Sequence, residues 1–217
     1  MKNLIIDVKP TRLESAVVED TLFDKSLDSL IKKGYEIISL PQNSQLRIQE
    51  REKAYISRNG NWTREGVLYI PKEKPKLVRN SPILESSKKA TNAHRKDNEF
   101  YPTKKQIEKS LSDSIDFPEK TITVPTNRFD SEALTVYAFG GEKEAKAYGE
   151  FLREAGIKEM PVYAVDKDYI NKQNKPFARQ MWFGGTIFGS PLASHWKLNY
   201  VRRGRGVLDK SRGKNKK

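Results

Sequence analysis

Leu22, Phe23, Leu27, Leu30 and Ile31 recur at helical spacing after Asp20, and Gly34 stands where a left-handed residue ends a helix. Two short apolar runs of strand length flank this stripe, residues 4–8 and 35–40, so the pattern predicts a strand, helix, strand unit. Residues 54–57 and 67–70 are β-prone runs on either side of Arg58, Asn59, Gly60 and Asn61. Asn followed by Gly tolerates positive φ at both positions, which predicts a hairpin there. Residues 47–53 fit strand or helix.

Thr103 and Gln106 have the spacing of a capping box, and Ile107, Leu111 and Ile115 follow at intervals of four. Residues 121–124 and 134–139 read as strands. A helix over 142–155 would bury Ala145, Tyr148, Phe151, Leu152 and Ala155 and close at Gly156, and residues 161–165 read as another strand. Residues 134–165 thus form a second strand, helix, strand unit, without a residue-level repeat of the first. Beyond Pro176 the chain is rich in aromatics and glycine, which suits β structure with turns.

The fold class that follows is α+β. Two small strand-helix-strand regions of two-layer type, 1–71 and 119–201, are joined by a basic connector with one helix, 72–118, and followed by a disordered basic tail, 202–217. The charge distribution argues for this division. The 217 residues carry a net charge of +13, yet residues 1–71 and 110–201 are each balanced to within one charge. The excess lies in residues 72–109, net +6, and residues 202–217, net +7. Pro71, Pro75 and Pro82 interrupt regular structure in the first of these, and the second has too few apolar groups to offset the entropy of ordering it.

Composition excludes several chemistries. With no cysteine, disulfides, thiol catalysis and Cys-built metal centres are ruled out. The apolar run Leu4, Ile5, Ile6 is cut by Asp7, far short of a signal-peptide core, and the uncharged part of residues 180–196 is broken by Gly and Pro. No membrane partner and a cytoplasmic location are the expectations.

Gly140 and Gly141 lie before a helix whose first turn holds Glu142 and Glu144, a turn and cap rather than a phosphate cradle. Asp166 and Asp168 follow an apolar run and share one face if extended, as Mg²⁺ ligands of phosphoryl-transfer enzymes can. Asp7 and Lys9 share a face likewise. His94 sits in a stretch of proton donors and acceptors that reads as a solvated charged segment, and His195 beside Trp196 reads as packed into an aromatic cluster. Asp166, Asp168 and His94 are the candidate catalytic residues, and no resident metal or cofactor is implied.

Phe177, Trp182, Phe183, Phe188, Trp196 and Tyr200 fall close together and lead into the cationic tail. Unpaired bases stack on such rings, and Arg or Lys beside them attract phosphate. No helix-turn-helix, zinc-finger or RNP1 signature is present. The function expected from sequence is therefore binding of RNA or another single-stranded nucleic acid. Phosphate contacts would come from Arg202, Arg203, Arg205, Lys210, Arg212 and Lys214, and stacking from Trp182 and Trp196. The rival readings are a metal-dependent nuclease or phosphotransferase using Mg²⁺, and a module docking on an acidic protein partner.

Overall fold

Strands at both ends of the chain are laid side by side in a computed structural model that describes residues 4–8 and 13–209. Leu4–Val8 (β1) pairs antiparallel with Leu13–Thr21 (β2), and β2 pairs antiparallel with Arg202–Asp209 (β11), which also meets Glu36–Ile37 (β3). Between them runs Phe23–Lys32 (α1), which buries Phe23, Leu27 and Leu30 along one face. Gly34 follows at φ +81°, where a side chain would strain the backbone. Ile31 departs from the expected stripe and is exposed.

Leu40–Glu50 (α2) makes residues 47–50 of the ambiguous stretch helical and ends before residues 51–53. Ser39 Oγ accepts from Gln42 N while Gln42 Oε1 accepts from Ser39 N, a reciprocal cap that fixes the start. The expected hairpin about Asn59 does not form. Residues 55–58 are a helical turn, Tyr55–Arg58 (α3), and only the second arm is a strand, Asn61–Tyr69 (β4). Ile56 points into a small core with Leu46, which a helical turn achieves here.

The segment expected to be a connector with one helix contains two, Ser87–Arg95 (α4) and Lys104–Leu111 (α5), the latter with the capping box at Thr103 and Gln106. It also contains Lys76–Val78 (β5), paired with β4, and Ser114–Asp116 (β6), paired with β5. Leu77 and Val78 are fully buried there, so apolar contact offsets the ordering that the prolines and lysines oppose.

Ile122–Pro125 (β7) is a strand as expected, but residues 134–139 are not. They form Ala133–Phe139 (α6), with Thr135, Ala138 and Phe139 turned inward at helical spacing and Gly140 closing the helix at φ +95°. Glu142–Glu154 (α7), Glu159–Tyr163 (β8), Lys167–Lys172 (α8), Phe177–Phe183 (β9) and Leu192–Ala193 (β10) complete the chain before β11. The strand order β1-β2-β11-β4-β9-β10-β8-β7 makes one sheet, antiparallel except where β11 meets β4 and β10 meets β8. The fold is α+β.

One core lies under α6 and α7, where Phe129, Phe139, Tyr148, Phe151 and Phe183 pack together. A second lies where α1 and α4 cover Trp62, Leu68, Val78 and Ala178. Both cores rest on β4 and β9, which pair with each other and so join the first and last thirds of the chain. Among the described residues no helix is long and apolar enough to cross a membrane.

The expected disordered tail requires correction over 202–209, which is strand β11. Its two glycines explain why. A Cβ at Gly204 would collide with Ser26 of α1, and one at Gly206 would press on Leu30 and Tyr35 at 2.8 Å, so the glycines let a strand run tightly beneath the helix. Residues 210–217, with Lys210, Arg212 and Lys214, lie outside the described residues.

Candidate functional site

Where β9 ends, Gly184 and Gly185 turn the chain sharply into a single helical turn, Thr186–Phe188. A Cβ on Gly184 would strike Pro191, and one on Gly185 would strike the Arg58 carbonyl, so this loop is pressed onto the end of α3. Gly60 completes the fit. An added Cβ there would lie 2.7 Å from the Trp182 indole, whose edge rests on bare backbone. The result is a cavity of about 440 Å³, walled by Trp182, Trp196, Tyr163 and Phe188 and edged by Arg58 and Arg202.

The aromatic wall is a connected series. Trp182 is buried against Trp62, edge to face with centroids 5.2 Å apart, and its other neighbour is Trp196 at 5.7 Å. Trp196 is half-buried and contacts His195 at 5.3 Å, which in turn meets Tyr163 at 5.3 Å. His195 therefore packs in the aromatic cluster as its sequence neighbourhood suggests. Burial, reinforced by the nearby Arg179 charge, lowers its pKa and keeps the imidazole neutral at pH 7.

Arg202 lies over this wall. Its guanidinium carbon is 4.1 Å from the Trp196 ring centroid, 5.4 Å from Trp182 and 5.9 Å from Tyr200. It forms no ion pair among the described residues, and neither does Arg58 across the cavity. Burial pulls the Arg202 pKa down, but the guanidinium stays charged.

A further cation stands behind the floor. Arg47 is fully buried and donates through Nη1 to the Gly184 carbonyl (2.8 Å), Ser190 Oγ (3.0 Å) and Tyr148 Oη (3.1 Å), with its guanidinium 3.9 Å from the Phe183 centroid. No carboxylate among the described residues pairs with it. In a low-dielectric interior such a charge is screened little, so it adds to the positive potential of the cavity. Sequence inspection did not single out Arg47 or Arg58. Their significance depends on the absence of a carboxylate partner among the described residues, which spacing does not reveal.

A buried polar cluster holds the segment that carries His195 and Trp196. Glu99 accepts from Arg179 Nη2 (2.6 Å) and Tyr169 Oη (2.5 Å), and Arg179 Nη1 donates to the His195 carbonyl (3.3 Å). His94 Nδ1 accepts from Leu198 N at 2.9 Å, and Lys197 reaches the Asp97 carbonyl. His94 is thus not in a solvated segment as expected but fully buried. Burial, with the Arg179 and Lys197 charges, lowers its pKa to about 3. Its Nδ1 is an acceptor, so it is a neutral prop for the Trp196 loop rather than a base open to solvent.

The remaining expected site residues are dispersed. Arg205 is fully buried and donates to Asp7 Oδ2 (2.6 Å), Ser15 Oγ (2.6 Å) and Asn61 Oδ1 (3.2 Å), an internal pin in place of the expected phosphate contact. Arg203 is paired with Glu19 (2.9 Å) and Tyr55 (2.8 Å); burial works against its charge, but these hydrogen bonds outweigh it and raise its pKa. Asp166 caps α8 by accepting from Asp168 N (2.9 Å) and Tyr169 N (3.3 Å), and Asp168 sits exposed in the first turn of that helix. Among the described residues no three His, Cys, Asp or Glu converge to hold a metal ion.

No family model matches this chain, and no curated protein matches it. A solved structure described as showing the "accommodation of massive sequence variation in Nanoarchaeota by the C-type lectin fold" is similar to it. The two superpose with a TM-score of 0.72 at 15% identity, over 93% of this chain and 100% of the other. The chain has the C-type lectin fold. At this identity the likeness speaks for architecture alone. In this chain the C-type lectin fold brings the strands of both ends together and leaves the loops after β9 and β10 to shape the cavity.

Proposed function

We propose that this protein is a binding module whose cavity takes an anionic group attached to a planar or apolar body. The observation that carries this reading is Arg202, a guanidinium laid on Trp196 at the cavity edge with no carboxylate partner among the described residues. Arg is suited to such a role because its planar fork matches carboxylate and phosphate oxygens while its face stacks on aromatics. Arg58 and the buried Arg47 reinforce the sign of the potential. The volume, about 440 Å³, lies within the usual 300–1,000 Å³ of ligand pockets. The solved neighbour supports a binding role in a general way, since its fold is described as accommodating massive sequence variation, as a frame for variable contacts would.

The chain has three tryptophans, and they make a built-in reporter. Titration with phenyl phosphate and phenylacetate, followed through the indole N–H signals by nuclear magnetic resonance, should move Trp182 and Trp196 and leave the enclosed Trp62 nearly still. Arg202→Ala removes a charge-assisted contact of about 1.5–3 kcal/mol, so it should weaken the response tenfold or more. A wild-type spectrum indifferent to both anions would overturn the proposal.

A further inference from the structure

The rim of the same cavity identifies its partner more closely. Among the described residues, five large hydrophobic side chains are more than half exposed, and four of them are Ile187, Phe188, Tyr200 and Val201. Phe188 lines the cavity with Ile187 beside it in the chain, and Tyr200, whose ring lies 5.9 Å from the Arg202 guanidinium, and Val201 directly precede cavity-lining Arg202, so two exposed apolar pairs flank the cationic seat. Scattered apolar side chains are ordinary on a surface, whereas a contiguous group marks an interaction site. Trp, Tyr and Arg at its centre are the residues on which protein interfaces concentrate their affinity.

The cations speak for the same class of partner. A nucleic-acid strand repeats its charge and is met by a track of free Lys and Arg. Here Arg203, which also lines the cavity, is paired with Glu19 and Arg205 with Asp7, which leaves Arg202 and Arg58 as the lining cations without an ion pair among the described residues. Resting on the binding role proposed above, we infer that the partner is a protein segment presenting one Asp or Glu between apolar side chains. Its carboxylate meets Arg202 and Arg58, and its apolar neighbours cover the exposed Ile187 and Val201.

The test is selection of peptides from a displayed random library on the immobilised full chain, followed by affinity measurement of the enriched peptides. Enrichment of sequences with an acidic residue flanked by aliphatic or aromatic ones is expected, with affinity falling about tenfold or more in the double variant Ile187→Ser, Val201→Ser, neither of which lines the cavity. Both side chains are exposed, so that variant should fold and should keep the indole response to phenyl phosphate. Loss of the peptide with retention of the small anion thus separates this inference from the binding role, whereas Arg202→Ala should weaken both about tenfold or more. Two results would overturn it: enriched peptides without acidic residues, or a mixed-sequence single-stranded RNA that binds more tightly than any peptide and is unaffected by the rim variants.

Discussion

Glu65 is a carboxylate enclosed on every side in β4, where the register against β9 shifts between Trp62 and Gly66. Its Oε2 accepts from Leu40 N at 3.0 Å, but Oε1 has no partner. Burial raises its pKa from 4.5 to about 7, against the opposing pull of backbone hydrogen bonds from Glu65 and Leu40. Between these values the folded protein holds a proton that the unfolded chain has released, so stability falls as pH rises from 4.5 to 7 and then levels. The loss is about 3 kcal/mol, at 1.36 kcal/mol per pH unit. Glu65→Gln should flatten this limb and leave the variant the more stable of the two at pH 8, which denaturation at a series of pH values would reveal. Parallel wild-type and variant curves would refute it. Single residues were the least legible level of the sequence. His94 is followed by Arg95, Lys96 and Asp97, and the contacts that take it from water, such as the Leu198 N–H on its Nδ1, come from a distant part of the chain.

Elements were more legible where periodicity and capping agree. The stripe of α1, the box at Thr103, and the run from Ala145 to Leu152 in α7 each specify a helix through local chemistry. Residues 134–139 misled because Val, Tyr and Phe favour strands, yet Gly140 and the inward spacing of Ala138 and Phe139 prevail in context. Strand β11 misled more deeply. Its Arg and Gly alternation reads as solvated chain, but Gly204 and Gly206 are required by the close approach of α1 and Arg205 is balanced by Asp7 across the sheet. That pairing makes a strong prediction. Asp7→Ala would strand a buried guanidinium and should cost about 3–5 kcal/mol, whereas Asp7→Ala with Arg205→Met removes both charges and should recover much of it. Equal losses in the single and double variants, measured by denaturant unfolding, would show that the pin contributes only through packing.

At the level of the whole molecule, the two strand-helix-strand regions read from hydrophobic pattern belong to one sheet, because β4 pairs with β9 and β11 inserts between β2 and β4. Pairing between distant segments has no periodic signature, so the α+β class was legible while the topology was not. The same insertion governs how the molecule can be moored. Leu13 and Asp209 are register partners at one pole of β11, and Arg202 begins the strand at the other, roughly 23 Å away at 3.3 Å per residue. Asp209 therefore stands at the pole opposite the cavity, whereas Leu4 returns along β1 to Val18, beside Gly204 and the cavity pole. Capture through a thiol introduced by Asp209→Cys, unique in a cysteine-free chain, should therefore leave peptide affinity unchanged on a biosensor chip, while capture through one introduced by Arg58→Cys should suppress it. The recognition face would then look outward from whatever carries the protein, like a lamp held at arm's length.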